Sequence, residues 1–289
     1  MPTLLLVRHG RTTANTAGIL AGRTAGVRLD DVGRTQAART GERLAALDLA
    51  SVLSSPLERC RQTTRFVLDR QATPPPIVID RGITECDYGD WSGRSLRDLA
   101  TEPLWATVQN QPSAVVFPGG EAMLAMQARA VSAIRRHDAT VAQEHGAGAV
   151  WTAVSHGDTI KAILADALGM HLDLFQRLSV GPASVSIIRY GSGRPDVIAM
   201  NTEAGDLGWL RTAAPPTAAS AAGARTLETC LRSCTDSTGP IAWSWEPSAH
   251  PVRAPSICRP RPDPVWSASA SRSSSRPSSP RRSTRSSTS

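Results

Sequence analysis

Short apolar runs, each ending in a polar or glycine-containing segment, recur from residue 3 to about residue 200. Runs this brief and rich in Leu, Val and Ile predict strands, and the stretches between them are long enough to hold a helix and return. Strands are predicted over 3–7, 51–54, 77–79 and 149–155, and again near 184–190 and 195–200. Helices are predicted over 57–69, from Glu121 to about Glu144, and over 157–168. A further helix, capped by Asp30 or Asp31, runs to about Leu47 with Ala38, Gly41 and Ala45 near one face. Residues 16–29 carry no period, and the prolines at 74–76 break the chain before the third strand. The alternation predicts an α/β fold, a three-layer α/β/α sandwich around a mostly parallel central sheet.

Reactive side chains collect where these strands end. The first strand empties into Arg8, His9 and Gly10 and continues to Asn15. The strand over 149–155 runs into His156, Gly157 and Asp158, and the strand over 51–54 leads through SSP to Leu57, Glu58 and Arg59. Between them, ITECDYGDWSG over residues 83–93 places Glu85 and Asp87 in a turn-rich loop. Ligands of open α/β sheets bind beyond the carboxyl ends of the strands. Two imidazoles, two guanidinium groups and a carboxylate at that edge point to an anion, and phosphate is the natural one.

In these motifs, from about residue 2 to about residue 202, the chain resembles the histidine phosphatase superfamily, the phosphoglycerate mutase-like fold, in its branch 1 form. The resemblance implies that His9 of RHG is the phosphorus nucleophile and Arg8 a phosphate ligand. It implies that Arg59 of SSPLERCRQT is the second phosphate-binding arginine and His156 of VSHGD the second histidine of the pocket. Glu85 of TECDYGDWSG corresponds to the proton donor, with Asp87 and Asp90 as rivals in the same loop, and Asn15 to an asparagine that also contacts phosphate.

The chemistry accounts for these residue types. A phosphomonoester carries up to two negative charges, which repel a nucleophile until they are neutralised. Arginine neutralises them well because its planar fork bonds two oxygens and stays charged. Asn15 and the Gly157 amide would add uncharged donors, the latter at a helix start. His9 would then attack in line, Glu85 would protonate the departing oxygen and activate water, and His156 would stabilise charge on the equatorial oxygens. The scheme needs no metal and no cofactor, and no HExxH, paired CxxC, DxDxT or GxxxxGK[ST] motif is present.

The expected function is a phosphatase acting on a small phosphate ester. A phosphomutase of the phosphoglycerate mutase type is the runner-up, because both share the first step. Residues 95–120 hold only Arg97 and lack the paired arginines of the mutases' longer insertion, which favours water as the acceptor. A non-catalytic phosphate-binding module is the third reading. Arg11, Arg23, Arg94 and Arg97 could meet a second anionic group, and Arg11 departs from the Glu or Gln that many relatives carry after RHG.

Composition divides the chain at residue 211. The 78 residues that follow hold ten arginines against four acids, and so carry most of the formal net charge of +7. Ser, Pro and Arg make up half of 212–289, which predicts a low-complexity, disordered appendage to a catalytic domain over 1–211. Two origins stay open: a polyanion-binding arm, or a frameshifted read-through of a GC-rich gene. Nucleic acid is not an expected partner of the catalytic domain, and the sequence leaves oligomeric state open. No apolar run approaches a membrane span, so no membrane partner is expected, and five cysteines without a framework fit a cytoplasmic enzyme. Cys60 and Cys86, which follow Arg59 and Glu85, are expected as packing residues, with oxidation near the site as the alternative.

Overall fold

Every residue from Thr3 to Val7 is buried, a state a strand reaches only when both its faces are covered. In the computed structural model, which describes residues 1–191 and 193–203, this strand is β1 (Thr3–Arg8) near the middle of one sheet. The expected boundary at 211 and the appendage over 212–289 lie outside the described residues. With β2 (Leu49–Ser54), β3 (Ile77–Ile79), β4 (Val150–Ser155), β5 (Val185–Arg189) and β6 (Asp196–Thr202), the order is β3-β2-β4-β1-β5-β6. The pairings from β3 through to β1 are parallel, and β5 and β6 are antiparallel to their neighbours.

Helices α1 (Thr13–Thr16), α2 (Asp31–Leu44), α3 (Glu58–Leu68), α4 (Leu96–Leu99), α5 (Pro103–Asn110), α6 (Met123–His145) and α7 (Gly157–Ala167) join the strands, with short 3-10 turns over Arg81–Ile83, Gly89–Trp91, Pro112–Ala114 and Leu172–Arg177. Alternation along β1 divides the core. Leu4 and Leu6 join Met126 and Ile134 of α6 and Ile160 and Ile163 of α7. Leu5 and Val7 face the other way, onto Leu44 of α2 and Val67 of α3. The expected three layers are thus present, the sheet and a helical layer on each of its two sides. No helix of the described residues is long and apolar enough to cross a membrane.

Two local expectations are corrected, and one unassigned segment is defined. The buried face of α2 is Ala37, Thr40, Gly41 and Leu44, while Ala45 is exposed and Ala38 only half-buried. The segment carrying Asn15 is a single helical turn, because the Thr12 and Asn15 side chains cap each other's backbone N–H groups. The long helix starts at Met123 rather than Glu121, because the Glu121 carboxylate accepts the Asp87 N–H at 2.9 Å and stays in the loop layer.

The edge of the sheet is unusual. β3 has three residues, and Ile77, Val78 and Ile79 are 42%, 41% and 48% exposed. At the sheet's centre the backbone is drawn tight instead. A Cβ on Gly33, in the first turn of α2, would lie 1.9 Å from the Arg11 carbonyl oxygen, and one on Gly10 would lie 2.4 Å from that of Gly33. The turn after His9 therefore rests directly on helix backbone that cannot yield.

Gly33→Ala is expected to destabilise the protein by about 1–3 kcal/mol through overpacking, lowering the melting temperature. The exposed neighbour Val32→Ala should stay within about 0.5 kcal/mol.

Candidate active site

Strand register builds the site. β1 and β4 run parallel with Arg8 opposite Ser155, so the next residue of each strand, His9 and His156, emerges at the same level. The His9 N–H donates to the Ser155 carbonyl at 3.0 Å, extending the ladder by one step. The two rings meet edge to face with centroids 5.3 Å apart. β2 contributes from the other side, where Ser55 N–H donates to the Val154 carbonyl at 3.0 Å and α3 then begins.

The hydrogen-bonding pattern fixes the protonation of His9. Its Nδ1 lies 2.8 Å from the Gly10 carbonyl oxygen, which can only accept, so Nδ1 carries the proton. Nε2 is left with its lone pair, toward which Arg59 Nε donates at 3.3 Å. Burial holds the His9 pKa well below its ordinary value, and the guanidinium groups of Arg59 and Arg8 push the same way. His9 is therefore a neutral imidazole with an unprotonated nitrogen facing a cation.

Both arginines are held by carbonyl oxygens, not by carboxylates. Arg59 is 2% exposed, and its Nη2 donates to the Gly22 carbonyl at 2.7 Å. Arg8 Nη1 donates to the Val180 carbonyl. Arg59 Nη1 and Arg8 Nε are buried and have no acceptor among the described residues. An unsatisfied buried donor costs about 1–3 kcal/mol, more when charged, so these two N–H groups favour an incoming oxyanion. Gly157 opens α7, and a Cβ there would sit 3.3 Å from the Arg8 guanidinium carbon, so the lack of a side chain leaves that cation room.

His156 is fully buried and caps α7 by its backbone. Its Nε2 lies 2.8 Å from Ser55 Oγ and 3.4 Å from Cys60 Sγ, and its Nδ1 lies 3.9 Å from Glu85 Oε2. Burial, then the Arg59 charge, lowers its pKa well below the ordinary value. Glu85 is 9% exposed, with Oε1 accepting from the Cys86 N–H at 3.0 Å and the Thr159 hydroxyl at 3.4 Å. Burial first, and then the Asp158 carboxylate, push its carboxyl up to about 7 against the pull of Arg59 and Arg8. Asp158 is itself fixed by the Tyr88 hydroxyl, which donates at 2.7 Å.

His9, Arg59, His156 and Glu85 are thus brought together, with Arg8 and Gly157 beside them. Asn15 is not hydrogen-bonded to this group: it is exposed, and its Oδ1 accepts from the Thr12 N–H at 3.0 Å and the Thr12 hydroxyl at 2.9 Å. The rival carboxylates lie elsewhere, Asp87 in an ion pair with Arg23 at 3.0 Å and Asp90 exposed. Cys60 and Cys86 are buried free thiols, and burial pushes Cys60 up to about 12 and Cys86 higher still, which disfavours the reactive thiolate.

Three of the four rim arginines that could meet a second anion already hold carboxylates. Arg11 pairs with Asp30 at 2.8 Å, Arg23 with Asp87 and Glu121, and Arg94 with Glu102, while Arg97 is exposed. Beside Arg8, a polar cavity of about 420 Å³ is lined in part by Asp158, Lys161, Gln176, Ser179 and Asn201. Sequence reasoning also missed Glu121 and Arg129. Arg129 donates to the carbonyls of Thr84 at 2.8 Å and Glu85 at 3.1 Å, and Glu121 bridges it to Arg23. Only their clustering around a loop carbonyl shows this role, and no local spacing announces it.

The sequence profile of the histidine phosphatase superfamily (branch 1) matches residues 4–203. A 2,3-bisphosphoglycerate-dependent phosphoglycerate mutase of Gloeobacter violaceus is 29% identical over 169 residues, 57% of this chain and 75% of that protein. An acid phosphatase of Mycobacterium tuberculosis is 30% identical over 193 residues, 66% of this chain and 87% of that protein. The chain spans only about half the length of several other curated relatives it matches. Among solved structures, YhfR of Bacillus stearothermophilus superposes with a TM-score of 0.63 at 26% identity, over 73% of this chain and all of that one.

Stability should track the buried carboxyl. Glu85 titrates at 4.5 unperturbed and at about 7 in the fold, so its contribution is complete below about 4.5 and is lost as pH rises through about 7. The two imidazoles act oppositely, losing their contribution as pH falls below 6.5 toward their lowered folded values. Urea melts across pH 4.5–7 are expected to show Glu85→Gln gaining on the wild type as pH rises. Parallel curves would contradict the buried, protonated carboxyl.

Proposed function

The chain belongs to the histidine phosphatase superfamily, branch 1, and from this we propose that it hydrolyses small phosphomonoesters through a phosphohistidine on His9. The observation that carries the proposal is the lone pair on His9 Nε2. It is exposed to attack by the Nδ1–H···O=C bond to Gly10 and lies beside a guanidinium group with a spare buried donor.

Arg59 and Arg8 bind the phosphoryl oxygens through the N–H groups that lack protein acceptors. His9 Nε2 then attacks phosphorus in line, forming the N–P bond as the ester P–O bond breaks. Glu85, protonated near neutrality, gives its proton to the departing oxygen. The resulting carboxylate takes a proton from water as that water attacks phosphorus, the N–P bond breaks, and inorganic phosphate leaves. His156 steadies the equatorial oxygens, and Asn15 adds a donor through its Nδ2 as Gly157 does through its N–H. The polar cavity beside Arg8 suits a polar leaving group, and the paired rim arginines place no demand for a second anion on it. The free, buried cysteines fit a cytoplasmic setting.

Incubation with labelled p-nitrophenyl phosphate followed by a rapid alkaline quench, which preserves phosphohistidine, tests the mechanism. The wild type is expected to yield a labelled enzyme that water discharges, and His9→Ala to yield none. No label on the wild type would leave only phosphate binding, and discharge only to a phosphoglycerate would make the protein a mutase. Turnover should persist below pH 6.5, because His9 stays neutral there, and should decline above about 7 as Glu85 ionises. Glu85→Gln is expected to slow phosphohistidine formation from alkyl phosphates by about 10²- to 10⁴-fold while sparing its formation from p-nitrophenyl phosphate. Truncation after Arg211 should leave turnover unchanged, so loss of folding in that variant would count against a catalytic unit over 1–211.

A further inference from the structure

Two residues between α1 and α2 touch both halves of the site. Gly22 is buried with φ +52, and a Cβ there would meet Ser92 Oγ at 2.5 Å, so the backbone is pressed against the loop that carries Glu85. Its carbonyl receives Arg59 Nη2 at 2.7 Å, while Arg59 Nε reaches His9. The next residue turns the other way. Arg23 Nε donates to the Glu85 carbonyl at 3.0 Å, Nη1 to Asp87 Oδ2 at 3.0 Å and Nη2 to Glu121 Oε1 at 2.8 Å.

The segment is fixed at both flanks. The Gly93 N–H donates to the Leu20 carbonyl at 2.7 Å and the Leu20 N–H to the Arg94 carbonyl at 2.9 Å. Beyond Arg23, the Gly26 and Leu29 N–H groups donate to Glu58 and Gln62 of α3 at 3.0 and 2.9 Å. A displacement of the Gly22–Arg23 peptide must therefore move Arg59 and the Glu85 backbone together.

We infer that Arg23 is a positioning residue that couples the proton donor Glu85 to the phosphate-gripping Arg59 through the Gly22–Arg23 peptide. The inference rests on the hydrolytic reading above. Arg23 does not touch substrate. It closes a mechanical circuit in which Arg59, Gly22, Arg23 and Glu85 are linked by hydrogen bonds and one peptide unit. Arg129 also donates to the Glu85 carbonyl, so losing Arg23 leaves Glu85 held but removes the direct hydrogen bond from its backbone to the segment that grips Arg59. Lysine at position 23 keeps the charge but offers a single donor centre in place of a fork spanning three acceptors.

A double-mutant cycle decides the matter. Arg23→Ala is expected to slow phosphohistidine formation from 2-phenylethyl phosphate by about 10- to 100-fold, the scale of an ångström-level misplacement, while changing its formation from p-nitrophenyl phosphate by less than about threefold. Arg23→Lys should show the same selectivity to a smaller degree, and it keeps the test open if the alanine variant folds poorly. In a Glu85→Gln background the extra loss from either Arg23 variant should vanish, because an acid that is absent cannot be misplaced. Equal losses on both esters, or losses that multiply in the double variant, would overturn the coupling while leaving hydrolysis intact. Failure of the wild type to form phosphohistidine would remove hydrolysis and the coupling with it.

Discussion

The site depends on one backbone constraint, the in-register parallel pairing of β1 with β4. A strand presents successive side chains to opposite faces, so a slip of one residue would turn either imidazole away from the other. Leu4 and Leu6 belong to one core and Leu5 and Val7 to the other, so packing on both sides holds the strand while the ladder to β4 sets its register. Hydrophobic packing far below the site and the ladder together thus set the distance between two rings at its mouth.

Charge is the second constraint. Arg59 is nearly inaccessible to solvent, yet its hydrogen-bond partners among the described residues are a carbonyl and an imidazole, and burial pushes the nearby Glu85 carboxyl up to about 7. Pairing it directly with a carboxylate would neutralise the cation and remove its attraction for a dianion. The fold instead uses carbonyl dipoles, which orient the guanidinium without cancelling its charge. The same burial keeps both imidazoles uncharged and the Glu85 carboxyl protonated near neutrality, so one low-dielectric environment prepares three groups at once.

Much of this was legible in the sequence, because strands buried on both faces leave unbroken apolar runs and because His9 and His156 each follow such a run directly. Ile77–Ile79, although exposed, was read to the residue because a short β-branched run follows directly on three prolines. What escaped was side-chain partnership across distant segments. Arg23 and Arg94 looked like free rim cations, yet their carboxylate partners lie 98 and 8 residues away, the first at a position that periodicity alone assigned to a helix. The α2 face slipped by about one position because its apolar residues are mostly alanine and glycine, whose weak contrast leaves the period poorly defined.

The bare margin at β3 has a consequence of its own. Ile77, Val78 and Ile79 present apolar side chains along a strand whose outer side has no neighbour among the described strands. Such a margin is a template on which a foreign chain could add itself and begin to aggregate. Two features limit that hazard. The strand is too short to give an intruder more than a few hydrogen bonds, and Pro74, Pro75 and Pro76 just before it have no N–H with which to lengthen the template. Brevity and imino acids therefore limit strand addition on this flank, beside the charged side chains of Glu58, Arg61 and Arg65 that line a pocket with Ile77 and Ile79.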